Sequence, residues 1–527
     1  MYRNEENENM GIRLLKKGQK GIIRAVFSRM GLFLLLILLQ AAFLVGLFNW
    51  FKEYWPHVFS GMVLFSIAVV LYLLNSQMDP VVKITWLVIL MLMPVFGALL
   101  YWYTQREVGH RALKARFSQI MDMTKEEIPQ SRPVYEALER ECPGAASLVR
   151  YIGRSGCHPV YDRTRVTYFP LGEDKFAEML RQLEQAEHFI YLEYFIVSEG
   201  LMWGEVLEIL ARKAKEGVDV RMLYDGTCEF ALLPKKYPGL LRGLGIRCKV
   251  FSPVMPFIST HYNYRDHRKI LVIDGHTAFT GGVNLSDEYI NRTSRFGHWK
   301  DTAVMVKGEA ARSFTLMFLQ MWNLDEKQPD FKKVLACPAK PAEGAGGFVV
   351  PYGDCPLDDD RLGERVYMDI LNRAVKYVHI MTPYLILNRE METALKYAAE
   401  RGVEVALILP GIPDKKIPYA LAKTHYASLL ESGIKIYEYT PGFVHAKVFV
   451  SDTREAVVGT INLDYRSLYH HFECAAYLYG VSCIPQIEED FQSTLSKCRQ
   501  VTPETIRKEK WTVKLTGALM KVAAPLL

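Results

Sequence analysis

The pattern H-x-K-x4-D occurs twice in this chain, as His267-Arg-Lys269-Ile-Leu-Val-Ile-Asp274 and as His445-Ala-Lys447-Val-Phe-Val-Ser-Asp452. Seven residues past each Asp stands a glycine and ten past it an asparagine: Gly281 and Asn284, then Gly459 and Asn462. Upstream, each copy carries a β-rich run, residues 188–195 and 377–384. A helical pattern follows, then a Gly-Val turn into a second apolar strand, at Gly217-Val218 and Gly402-Val403. One match to so short a pattern is weak. Two matches at equivalent points of a long duplication commit the chain to two copies of one unit. Strands alternating with helical stretches predict an α/β unit around a largely parallel sheet. Two such units in one chain predict a pseudo-twofold pair, with the Pro-, Gly- and Ala-rich stretch 336–353 as the linker between them.

Strand geometry limits what these residues can do. Side chains two apart on a strand share a face, so His267 and Lys269 point one way, as do His445 and Lys447. Asp274 and Asp452 lie at an odd offset from their histidines and read as mainly structural, although they complete the candidate catalytic set. The glycine-containing turn after each motif, opening a helix near Asn284 or Asn462, offers backbone N–H groups to a phosphate. Phosphodiester transfer needs a nucleophile, and a neutral imidazole can serve. It also needs an acid for the leaving alcohol, which a second, protonated imidazole supplies. Two lysines and two asparagines can hold the non-bridging oxygens against the charge of the transition state. A working histidine also needs an orienting acid, and the candidates are Asp301, in His298-Trp-Lys-Asp301, and Glu473, in His471-Phe-Glu473. No His/Cys/Asp/Glu cluster has metal-ligand spacing, so the expectation is a site with no metal and no cofactor.

The apolar half of the composition is unevenly spread. Three apolar stretches, 31–51, 58–74 and 84–103, follow a basic leader. The first and third are long enough to cross ~30 Å of hydrocarbon. Trp50, Trp55, Trp86, Trp102 and Tyr103 sit near their ends, as at a membrane interface. The first stretch lacks a small-residue cleavage site at its end, against a signal peptide. Basic residues flank the block on both sides, Arg13 to Arg29 before it and Arg106 to Arg116 after it. Both flanks therefore ask to be cytoplasmic, which two crossings satisfy and three do not. The expected location is the cell membrane, multi-pass, with the catalytic part on the cytoplasmic side. Nine scattered cysteines without a C-x-x-C argue against a disulfide framework or a zinc site. A net charge of +6 is mild and suits anionic lipid better than nucleic acid.

The duplicated motif, with its glycine and asparagine, resembles the phospholipase D superfamily over roughly residues 150 to 500. Arg265 to Gly275 with Gly281-Gly-Val-Asn284, and Gly433 to Tyr439 with Phe443-Val-His-Ala-Lys447, are similar to the two motifs of bacterial cardiolipin synthases. Pro80-Val-Val-Lys-Ile-Thr-Trp86 is similar to their membrane-anchoring segment. One departure is Gly282 against Thr460: many members carry a hydroxyl here in at least one motif, and this chain has it only in the second. The resemblance implies that two phosphatidylglycerol molecules yield cardiolipin and glycerol through a phosphohistidine, with membrane lipids as partners and no nucleic acid. It also implies His267 as nucleophile and His445 as proton donor, although the pseudo-symmetry leaves the order open. A phospholipase D-type hydrolase, a nuclease and a non-catalytic lipid-binding scaffold are the rival readings. The expected organisation is a leader (1–29), a transmembrane segment of two or three helices (30–104), a connecting segment (105–149), a first phospholipase D-like domain (150–335), the linker (336–353), a second such domain (354–505) and a C-terminal tail (506–527).

Overall fold

A computed structural model describes residues 55–76, 80–93 and 108–521 nearly throughout, apart from 235, 254–263, 338–340 and 359. Isolated residues between 38 and 102, and residue 524, are also described. The described residues divide into two compact units, one built mainly of residues 113–517 and the other mainly of residues between 38 and 112 with 518–521.

In the large unit each copy of the repeat forms one sheet. The first runs through β1 (Thr164–Phe169), β2 (Phe189–Tyr194), β3 (Asp219–Asp225), β4 (Arg247–Phe251), β5 (Lys269–Ile273), β6 (Thr277–Gly281) and β7 (Ala303–Gly308), in the order β1-β7-β6-β5-β2-β3-β4. The second runs through β8 (Phe348–Asp354), β9 (Tyr377–Met381), β10 (Glu404–Pro410), β11 (Lys435–Tyr439), β12 (Val448–Ser451), β13 (Glu455–Gly459), β14 (His471–Tyr479) and β15 (Cys498–Gln500), in the order β8-β14-β13-β12-β9-β10-β11-β15. Apart from β15 at the edge, the second order is the first one repeated. The expectation of a largely parallel sheet needs correction, because both sheets are mixed. Only β2-β3-β4 and β9-β10-β11 are parallel, each joined by helical crossovers. The motif strands β5 and β12 return by tight turns and pair antiparallel on both sides, which a short connection requires.

Those tight turns explain the motif aspartates. Asp274 and Asp452 follow β5 and β12 in the left-handed region, with φ of 51° and 53°, where Asp is among the tolerated residues. The Asp274 carboxylate accepts the backbone N–H groups of Glu187, His188 and Phe189, at 2.7–2.8 Å. Asp452 does the same for Val375, Lys376 and Tyr377, at 2.8–2.9 Å. Each carboxylate thus pins the start of the neighbouring parallel strand.

Helix α1 (Ala311–Trp322) is buried along all but one residue, as a helix apolar all round must be. It packs on the first sheet and on β8, and one apolar cluster runs from β1 and β5 through it into β12 and β14. The stretch read as linker ends inside β8, so its last residues are sheet. Much of the connecting segment is also core: Leu138, Ala145, Leu148, Val149 and Ile152 pack with β8 and β9. The C-terminal helix α2 (Trp511–Lys521) seats Gly517 against the Ala420 carbonyl, where a Cβ has no room. Trp511 and Leu515, one turn apart, remain exposed on it.

In the small unit the helices Trp55–Asn75 and Pro80–Leu92 pack through Leu73, Trp86 and Leu90. The expected apolar stretch 58–74 lies in the first of these and 84–103 begins in the second; most of 31–51 lies outside the described residues. Among the described residues no helix is long and apolar enough to cross a membrane.

Candidate active site

Two short strand pairings between the repeats assemble the site. Arg265–Asp266, just ahead of His267, pairs in parallel with His471–Phe472. Gly442–Val444, just ahead of His445, pairs in parallel with His298–Lys300. The His267 N–H donates to the Phe472 carbonyl at 2.9 Å, and the His445 N–H to the Lys300 carbonyl at 2.7 Å. The next residue in each register is a carboxylate of the other repeat. His267 Nδ1 accordingly meets Glu473 at 2.8 and 2.9 Å, and His445 Nδ1 meets Asp301 at 2.7 Å. Each repeat orients the other's histidine.

The lysines complete the constellation. Lys269 Nζ donates to the His267 carbonyl at 2.6 Å, and Lys447 Nζ to the His445 carbonyl. Lys447 Nζ also lies 2.9 Å from His445 Nδ1. That nitrogen either donates its proton to Asp301 or accepts from Lys447, but not both. The Gly282/Thr460 asymmetry follows from the carboxylates. A Cβ at Gly282 would come within 2.7 Å of the Asp301 Cγ, so that position must be bare. Glu473, by contrast, accepts the Thr460 hydroxyl. The asparagines differ as well. Asn284 is engaged at both ends, accepting from the Ile196 N–H at 3.0 Å and donating to the Tyr289 hydroxyl at 2.8 Å. Asn462 keeps a buried Oδ1 without a hydrogen-bond partner among the described residues. Asp274 and Asp452, tied to backbone, are not part of this cluster.

Comparison with known proteins fits this arrangement. Residues 179–322 and 367–495 match the family described as cardiolipin synthase, PLD-like domain. Residues 63–106 match the phospholipase D-nuclease N-terminal family. A cardiolipin synthase of Halalkalibacterium halodurans is 34% identical over 465 residues, covering 88% of this chain and 92% of the relative. A cardiolipin synthase of Geobacillus kaustophilus is 34% identical over 468 residues, covering 88% and 91%. The chain belongs to the cardiolipin synthase family of phospholipase D-like proteins. It is thereby an enzyme of the phosphatidyltransferase class. An uncharacterized protein of Streptococcus mutans is 55% identical over 461 residues, 88% of this chain and 100% of the relative. The fold is shared with a phosphatidylserine synthase of Haemophilus influenzae, at a TM-score of 0.53 and 15% identity over 69% of this chain and 95% of that one.

Within this family site, aromatic walls set the electrostatics. Phe195 lies edge-on to His267 at 5.0 Å, and Trp299 and Tyr289 pack on His445 at 5.3 and 5.4 Å. Burial, with Lys269, Lys447 and His445 adding repulsion, holds the His267 imidazolium well below its usual range. Burial and Lys447 bring His445 down to about 4, against the opposing pull of Asp301. Burial also lowers Lys269 to about 8 and Lys447 to about 7, the nearby carboxylates pulling the other way. Both imidazoles are therefore neutral at pH 7 in the free site, and the lysines stand close to losing charge.

His471 joins this cluster although it lies outside both motifs. Its ring centroid lies 5.2 Å from that of His267, and its Nδ1 is 3.6 Å from the same Glu473 oxygen. The signal was available: His471 is two residues before Glu473 on one strand, hence on the same face. The expectation that no ligand cluster exists also needs correction. His267, His471 and Glu473 form a group with metal-ligand spacing, hidden in the sequence because its members come from both repeats.

Proposed function

We propose that this enzyme joins two phosphatidylglycerol molecules into cardiolipin, releasing glycerol. The observation that carries the reading is the reciprocal pairing of each motif histidine with the other repeat's carboxylate, His267 with Glu473 and His445 with Asp301. With Nδ1 held by Glu473, Nε2 of His267 is the nitrogen free to attack phosphorus. The phosphorus–oxygen bond to the head-group glycerol breaks, and the departing alkoxide takes a proton from His445. The anionic phosphodiester and Asp301 together raise the proton affinity of His445 on binding, which restores the acid that the empty site lacks. Lys269 and Lys447 offset charge on the non-bridging oxygens. A glycerol hydroxyl of the second phosphatidylglycerol then gives its proton to His445 and attacks phosphorus, freeing His267.

The same reading puts the enzyme at the membrane, its N-terminal segment inserted and its catalytic unit facing the cytoplasm. Leu64, Phe65, Ile67 and Leu71 are exposed on the helix Trp55–Asn75, and so contiguous an apolar surface needs a lipid or protein partner. Mass analysis of lipids after incubating the purified chain with phosphatidylglycerol vesicles tests the reaction. Cardiolipin with equimolar glycerol is expected. Mainly phosphatidic acid would reassign the chain as a hydrolase, and a mixed product formed only with another added alcohol would change the acceptor.

A further inference from the structure

We propose that His267, His471 and Glu473 form a binding site for a borderline divalent transition metal such as zinc, and that its occupancy shuts off the transfer reaction. The inhibition rests on the function proposed above; the binding does not. His471 and Glu473 reach one face of β14, and the parallel pairing of Arg265 with His471 delivers His267 from the other repeat. Both histidines turn Nδ1 to one carboxylate oxygen, at 2.8 and 3.6 Å. Donors around a tetrahedral zinc lie about 3.3 Å apart, given bonds near 2.0–2.1 Å, and the three ligand atoms here lie within 4.8 Å of one another, close enough for rotation of the imidazoles to bring them to that spacing.

His471 is the observation that asks for a ligand. It is 7% exposed, and among the described residues neither ring nitrogen has a hydrogen-bond partner. Burying an imidazole so is unfavourable unless something else meets its nitrogens. Two imidazoles and one carboxylate leave a fourth position open and match zinc. Magnesium and calcium prefer all-oxygen shells and are disfavoured here. Lys269 and Lys447 repel a dication, so affinity in the micromolar range is expected rather than the tight binding of a structural site.

The mechanism of inhibition follows from the nitrogen used. A metal on Nδ1 of His267 takes that lone pair and leaves the ring proton on Nε2. The nitrogen that must attack phosphorus is then capped, and Glu473 is drawn off its orienting contact. Metal and substrate are mutually exclusive.

The test uses the purified full-length chain and cobalt as a spectroscopic stand-in for zinc. One equivalent per chain should give a visible tetrahedral band without the near-ultraviolet thiolate absorption that cysteine ligands would produce, and zinc should displace it. His471→Asn and His471→Gln should each weaken cobalt binding at least tenfold. In vesicles zinc should inhibit cardiolipin formation reversibly by chelation, with magnesium and calcium without effect. If a His471 variant fails to melt cooperatively, His267→Asn replaces it in the cobalt titration. No stoichiometric tetrahedral band, or affinity unchanged in the folded variants, overturns the site. Normal cobalt binding with uninhibited transfer overturns the shut-off. An inactive wild type would refute the proposed reaction while the cobalt titration still decides the metal site.

Discussion

Glu473→Gln isolates the charge of one carboxylate from its shape. Glu473 is fully buried and meets His267 Nδ1 at 2.8 Å. In the proposed reaction the ring that attacks phosphorus becomes positive, and the carboxylate stabilises that charge. At an effective dielectric constant of about 20, unit charges ~4 Å apart interact by roughly 4 kcal/mol. At about 1.4 kcal/mol per decade, kcat should fall by about three orders of magnitude. Glutamine keeps an oxygen to accept from Nδ1, and its amide N–H2 can donate to the Thr460 hydroxyl in place of the lost acceptor, so ring orientation is kept. Removing a buried charge relieves its desolvation while weakening two hydrogen bonds, so folding stability should change by no more than about 2 kcal/mol. The assay is initial-rate cardiolipin formation in phosphatidylglycerol vesicles, with denaturant unfolding run in parallel. A variant of wild-type stability that keeps more than a tenth of kcat would refute the argument that Glu473 stabilises the developing imidazolium.

Three further outcomes are expected. His267→Ala and His445→Ala should each abolish nearly all turnover, because nucleophile and acid act as a unit; an aryl phosphodiester, whose leaving group needs no acid, should still give a burst of aryl alcohol with His445→Ala and none with His267→Ala, and the reverse pattern would exchange the roles. The pH profile of kcat/KM should keep its acid limb well below the ordinary imidazole range, since burial and the lysines hold the nucleophile His267 neutral there, and should decline with rising pH as the free site loses the His445 proton and as Lys447 and Lys269 lose charge through about 7 and about 8; an acid limb at the ordinary imidazole value would contradict the burial argument. Asp274→Ala removes an acceptor from three backbone N–H groups and should lower stability in denaturant by ~2 kcal/mol while the folded fraction keeps its kcat, whereas a loss of kcat at wild-type stability would make Asp274 catalytic.

What the sequence alone determined was everything written in local spacing. The duplication fixed two similar sheets, but the period-two argument for each motif histidine and lysine meets a break, because His267, His445 and Lys447 lie outside the strands. The odd offset of Asp274 and Asp452 set them apart from the catalytic face, and the left-handed turns explain why aspartate stands there. Asp301 and Glu473 were legible as candidate orienting acids because each opens an apolar run after its motif. Which histidine each serves was not legible, because the partner lies in the other repeat and depends on the Arg265–His471 and Gly442–His298 pairings. The same exchange hid the cluster of His267, His471 and Glu473, whose ligands are separated by most of a domain. Gly282 looked like a missing hydroxyl; only packing shows that the Asp301 carboxylate fills its space. The mixed strand direction likewise escaped the alternation of helix and strand, since β5 and β12 return through turns too short for a crossover. Spacing along a chain decides which residues share a face, but hydrogen-bond register between distant segments decides which faces meet, and that is a property of the folded chain.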